Sequence, residues 1–412
     1  MYDGQRNKYH NISCWEEERT VDQLLKDYGQ DKTMILDLLV KNPNELVQMM
    51  WSENSPLSYD NTCRVNMGKG NIKSCFACIN CVNMKHLVDF SKYKMNDCFN
   101  ILTGNHVGTS MMLTEIKVDG VYLDYDVNKN IKGDDFTIRT LITWYIESIF
   151  NKKKLPHALL LHTAYICGNT GYSLYTAPTI NNEICHFNTI ITSLNKNDKK
   201  TNIEAYGILM QVIVIFSELK AINLIHNNPI CTSLLFDKKP CSYKYNILNK
   251  GSIHVLCGNT VFLADLLKAS AQINDVYLYS QQDNMKCSNV SVAKCVQTTS
   301  GLSNKQYKIK NDYFDMYLNM VKSNNKHLPS IDLYIMLLSM MLNTDFFNIV
   351  VNDDKCNRLW KSLWDNQENI IETRLKEFVT QNLPIKKDTL LILLKDVWLY
   401  DDLSSILLQT LC

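Results

Sequence analysis

No charge of either sign dominates this sequence: 43 Lys and Arg stand against 42 Asp and Glu along 412 residues. That balance removes the broad basic face with which a protein neutralises a nucleic-acid backbone or an anionic bilayer, so neither partner is expected. A long unbroken apolar run is missing as well. The most apolar window, Ile208 to Ile225, is interrupted by Gln211, Ser217, Glu218 and Lys220, which predicts a core helix rather than a membrane span. The opening stretch MYDGQRNKYHNISCWEEERT carries no apolar signal segment, and the 15 cysteines are therefore read as those of a reducing cytosol, most of them small buried hydrophobes, not as a disulfide framework. No internal repeat is visible. What the chain does have is 46% apolar residues, enough for a large core, and a length that suits two or three domains. The frequent Asn, Lys and Ile suggest an AT-rich genome.

Apolar groups fall at helical spacing through residues 18 to 50, with Gly29 and Asn42-Pro43 as breakers. From about 97 to 128 the pattern turns strand-like: CFNILTG, SMMLTEIKV, then Asp119-Gly120, then VYLDYDV. Asp-Gly between two alternating runs predicts a hairpin, because both central turn positions need positive φ. Residues 134 to 150 read as a helix started by Asp134 and Asp135. LPHALLLHTAYIC and GYSLYTA return to strands. After them the chain reads as mostly helical, at 203–224, 311–322, 329–343, 356–378 and 387–411. Strands first and helices later predict an α+β architecture. The expected division is a helical and Cys-rich extension over 1–95, a β-rich lobe over 96–180 and a helical lobe over 181–412.

Several features then fall in a telling order. Two glycines, Gly104 and Gly108, flank a turn ahead of the hairpin and helix; a long apolar helix runs into LIHNNPICTSLLF; VFLADLLKAS follows, and LPSIDLYIMLLSMM opens a later helix. This order resembles the eukaryotic-type protein kinase fold, and more narrowly the kinase-like proteins of large nucleocytoplasmic DNA viruses, whose catalytic loop commonly reads His-Asn-Asp-Leu-His-Thr-Asn-Asn-Ile. The resemblance covers roughly residues 97 to 345 and rests on order and spacing, with His226, Asn227 and the closing apolar pair as the matching loop positions.

Phosphoryl transfer needs cradled phosphates, a cation to neutralise them and a carboxylate to accept the hydroxyl proton. The resemblance places Asn228 at the catalytic aspartate, and an amide cannot take that proton; loss of a general base alone typically costs a factor of about 10²–10⁴. It places Ser233 at the metal-binding asparagine, while Pro229 and Ile230 replace residues that hold the loop. The Asp-Phe-Gly counterpart is Asp265-Leu266-Leu267. Its carboxylate could still meet Mg²⁺, but Leu267 removes the freedom of glycine. Where a strand lysine is sought, the sequence offers Asp124 and Asp126, with Lys117 and Lys129 outside the strand. Arg139 stands where the helix glutamate belongs, with Glu147 two turns on, so a swapped pair between Arg139 and Asp124 or Asp126 is expected. Gly104 and Gly108 would be the phosphate-contacting positions.

Each of these positions also has a plain structural reading. His226 suits a buried histidine bonded to a carbonyl. Asp332 resembles the family's helix aspartate that braces the catalytic loop, and equally suits an ordinary acid at a helix start. Trp360 and Trp364 share a helix face and read as core. Cys63, Cys75, Cys78 and Cys81 form the independent metal candidate: two-residue gaps let a turn present thiolates to one Zn²⁺, with His86 as an alternative to Cys63. Such a zinc would be structural. Otherwise no cofactor is expected, ATP and Mg²⁺ being what the resemblance implies and the substitutions oppose.

The leading expectation is an inactive kinase-like protein of viral origin, a pseudokinase acting as a binding scaffold or virion component in host cytoplasm. Its partners would be a viral or host kinase, or virion proteins. The alternatives are a divergent active Ser/Thr kinase that relies on Asp265, and a zinc-containing interaction module without kinase ancestry.

Overall fold

The computed structural model describes residues 32–46, most of 94–280 and most of 332–359. In chain order its elements are helix α1 (residues 32–41), strands β1 (Lys94–Asn96), β2 (Ile101–His106), β3 (Thr109–Lys117), β4 (Leu123–Tyr125) and β5 (Asn130–Gly133), helix α2 (Asp135–Lys152), and strands β6 (Leu161–Cys167), β7 (Thr170–Thr176), β8 (Thr179–Ile180) and β9 (Glu183–His186). Helices α3 (Phe187–Ser193) and α4 (Lys199–Ala221) follow, then β10 (Leu224–Ile225), β11 (Leu234–Asp237), β12 (Cys241–Ile247), β13 (Gly251–Cys257), β14 (Thr260–Leu263), β15 (Ser270–Ile273), β16 (Val276–Ser280) and α5 (Thr344–Asn352). The chain is a mixture of sheet and helix. It divides into two units, Met1–Ile184 with Asp265–Gln282, and Cys185–Ala264 with Asp283–Cys412. Residues 265–282 thus group with the first unit, not with the stretch 181–412 of the linear reading.

In the first unit, β1, β2, β3, β7 and β6 lie side by side in that order, and β15, β16, β5 and β4 form a separate run. The two strands around Asp119-Gly120 do not form the expected hairpin: β3 pairs with β2 and β7, whereas β4 pairs with β5. Helix α2 begins as the sequence predicts. The Asp134 carboxylate accepts from the N–H groups of Phe136 and Thr137, satisfying donors that an uncapped helix leaves open. The helix packs against β5, β15 and β16 on one hand and β6 on the other. Burial on every side follows: Phe136, Ile138, Leu141, Ile142, Trp144 and Phe150 are all within the core. Gly171 on β7 makes room for α2, since a Cβ there would lie within 2.8 Å of three Phe136 ring carbons.

In the second unit, α4 is the central element. Its stretch Thr201–Ala221 is long and apolar enough to cross a membrane, and 78% of its most apolar window is buried inside the protein. It packs on β13 and β14 and against α5. Beyond residue 181 the chain is richer in strand than expected: β11 pairs with β14 and with the end of β9 at Cys185 and His186, and β12 pairs with β13 as a hairpin. Two polar side chains on α4, seven residues apart and so on one face, grip the β13–β14 connection. Glu204 accepts from Gly258 N–H at 2.6 Å and from the Asn259 amide, and Gln211 bonds both Asn259 O and Val261 N at 3.0 Å.

Candidate functional site

The loop after α4 carries the sequence-predicted histidine, and the second unit fixes it at both ends. His226 is fully buried, with its ring 6.5 Å from that of Phe216 on α4. Its backbone N–H donates to the carboxylate of Asp332. Five residues on, the N–H of Cys231 donates to Ser339 Oγ at 2.7 Å. Asp332 and Ser339 are each in helical backbone and buried, seven residues apart, the spacing of two helical turns. Each holds a backbone donor that burial would otherwise leave unpaired.

The histidine ring completes the brace. Its Nε2 lies 2.9 Å from Ala264 O; a carbonyl oxygen only accepts, so Nε2 carries the proton and donates. Nε2 therefore cannot serve as a base in this arrangement. The N–H of Ala264 donates in turn to Ser233 O at 2.8 Å, where Cys231–Ser233 form a short 3-10 turn leading into β11. Ser233 is buried, like Cys231. The segment is thus tied to the end of β14 by two bonds about Ala264 and to the Asp332 and Ser339 side chains by two more.

The candidate positions fare differently. His226, Ser233 and Asp332 are brought together within the second unit. Asn228 and Asn227 lie outside the described residues, as do Gly108 and the cysteines Cys63, Cys75, Cys78 and Cys81. Gly104 sits inside β2, paired with Met111, rather than in the turn. Asp265, next in the chain after Ala264, is the first residue of the returning segment and adopts φ 58° and ψ 50°. This left-handed backbone is one that Asp tolerates better than most residues. Leu266–Lys268 then make a 3-10 turn where the family motif would have its Phe-Gly. Among the described residues no group of three or more His, Cys, Asp or Glu side chains is placed to hold a metal ion.

The expected swapped pair is corrected. Arg139 donates to Ser173 Oγ on β7 at 2.9 Å, not to Asp124 or Asp126. Asp126 instead accepts from the backbone and side-chain N–H groups of Asn130 at 2.9 and 2.8 Å, and Asp124 is exposed on β4. Glu147, also on α2, is the residue with the buried counter-charge. It takes the ammonium of Lys32 from α1 on one oxygen and the N–H of Leu161 at 3.2 Å on the other. Nothing in the local sequence signals this pair, whose members are 115 positions apart.

No family model matches the sequence, and no curated protein matches it. Among solved structures, WaaP in complex with acyl carrier protein is 7% identical over 65% of this chain and 96% of its own length, with a TM-score of 0.28. The BubR1 kinase domain is 11% identical over 70% of this chain and 83% of its own, with a TM-score of 0.33. At these values neither assigns a family or an activity to the chain.

Proposed function

We propose that this chain is a two-lobed, kinase-like protein that works by binding, as a scaffold or virion component of viral origin in host cytoplasm, and has given up phosphoryl transfer. The observation that carries the reading is the paired hold of Asp332 and Ser339 on the backbone N–H groups of His226 and Cys231, with the His226 ring committed to Ala264 O. That arrangement keeps the loop in place at an energetic benefit of about 1–3 kcal/mol per buried bond. It asks for no proton transfer. Asn228 offers no general base at the position where the kinase resemblance needs one, and Ser233 replaces a metal ligand with a hydroxyl whose backbone is used for bracing. A binding role for such a scaffold would draw on a viral or host kinase or on virion proteins.

A thermal-shift titration with ATP and either Mg²⁺ or Mn²⁺ tests this reading. The expected result is no saturable rise in melting temperature. A rise that the Asp265→Asn variant abolishes would show a working nucleotide–metal site and defeat it.

A further inference from the structure

The geometry points to a binding site for a small oxyanion of the phosphate class in the first unit, held by Arg139 with Ser173 and Thr114. Arg139 is 7% exposed. A guanidinium has five N–H donors in one plane, and the structure uses one edge of it, in the bond to Ser173 Oγ at 2.9 Å. Its Nε has no hydrogen-bond partner. The guanidinium carbon sits 5.6 Å from the centre of the Phe136 ring, a cation–π distance that gives its N–H groups no hydrogen-bond acceptor.

A second, independent observation lies on the neighbouring strand. Thr114 on β3 is directly opposite Ser173 on β7 in the antiparallel register, so both side chains project from the same side of the sheet. The Thr114 hydroxyl is buried and has no partner. Arg139 is bonded to Ser173 and Thr114 is the register partner of Ser173, so the two unused donors belong to the side chains next to that hydroxyl. Removing an ion from water costs several kcal/mol unless a counter-charge compensates, and among the described residues no carboxylate forms an ion pair with Arg139. The nearby acids are otherwise placed. Asp134 caps α2, Glu147 takes Lys32 and Leu161, Glu115 follows Thr114 and faces the opposite side of β3, and Asp135, one turn before Arg139, makes no ion pair with it. A tetrahedral oxyanion supplies the missing charge and accepts from a guanidinium fork and two hydroxyls together. The site does not depend on the kinase reading.

The test uses the full chain and inorganic phosphate, with chloride at matched ionic strength as the reference. Phosphate is expected to raise the melting temperature saturably, and equilibrium dialysis with labelled phosphate is expected to find a single equivalent per chain. Arg139→Gln should abolish both effects. If that variant fails to fold, Ser173→Ala and Thr114→Val carry the test, each weakening phosphate binding about tenfold through loss of a bond to a charged group. No rise with phosphate, a rise that persists in Arg139→Gln, or weak binding to several equivalents (an adventitious ion only) would overturn the proposal. Phosphoryl transfer, should it be found, would defeat the binding-only role and leave this result untouched.

Discussion

The carboxylate of Asp332 accepts the backbone N–H of His226, a residue 106 positions earlier in the chain. A local helix contact thereby becomes the anchor of a distant loop. Asp332 is 3% exposed and His226 fully buried, so the bond is charge-assisted and shielded from competing water. Asp332→Ala leaves that N–H unpaired and is expected to lower the unfolding free energy by about 2–4 kcal/mol. Asp332→Asn, which keeps an acceptor but loses the charge, should fall between. Urea denaturation of the three proteins checks the order.

Lys32 and Glu147 make the second prediction. Burial pushes the Lys32 ammonium down from its usual pKa, and the Glu147 carboxylate opposes that shift. Lys32→Met strands a carboxylate that is 6% exposed and should cost about 3–5 kcal/mol. Replacing both, as Lys32→Met with Glu147→Leu, removes the buried charges together and should recover much of the loss, leaving the cost of the Leu161 N–H. A double-mutant cycle read by thermal unfolding measures the coupling.

His186 makes stability depend on pH. Burial holds its imidazole below the ordinary pKa, partly offset by the nearby backbone of Thr232. The unfolded chain therefore takes up the proton first, near pH 6.5, while the folded chain resists it. Stability from the neutral ring is full above that pH and declines as pH falls toward the folded value, by at most about 1.4 kcal/mol per pH unit. His186→Gln should flatten the unfolding free energy between about pH 7 and pH 5.5, measured by urea titration at each pH.

Gly171 tests the packing of α2 on its sheet. A methyl group there would press into the Phe136 ring, and the helix cannot retreat without disturbing its other buried contacts. Gly171→Ala should destabilise by about 1–3 kcal/mol. Pairing it with Phe136→Leu should restore part of that loss, as read by melting temperature.

Local patterns carried the elements well. Asp134 as a cap, the helical period behind it, the alternation in LPHALLLHTAYIC and GYSLYTA, and the apolar stretch of α4 all appear where spacing and burial physics put them. Pairing was less legible. Asp119-Gly120 has the chemistry of a tight hairpin, but β3 finds longer partners in β2 and β7, and tertiary pairing overrode the local signal. The β12–β13 hairpin shows alternation, Tyr243, Tyr245 and Ile247 against Ile253, Val255 and Cys257, but it lies between the stretches 203–224 and 311–322 whose helical spacing dominates that part of the sequence. In the candidate site, His226 and Asp332 were each visible alone. Ser339 was not, because a serine on an apolar helix face signals nothing until its partner N–H is known. Arg139 was expected to find an acid because isolated charges usually do; a serine met it instead.

The central claim is that the loop beginning at His226 braces the fold and no longer serves a reaction. Transfer of labelled γ-phosphate from ATP, with Mg²⁺ or Mn²⁺, to the chain itself and to a generic protein substrate tests it most directly. Asp265→Asn is the matched control, since Asn tolerates the left-handed backbone at that position while losing the charge a metal would need. Incorporation equal to background and unchanged by Asp265→Asn is the predicted result. Transfer above background that Asp265→Asn removes would contradict it.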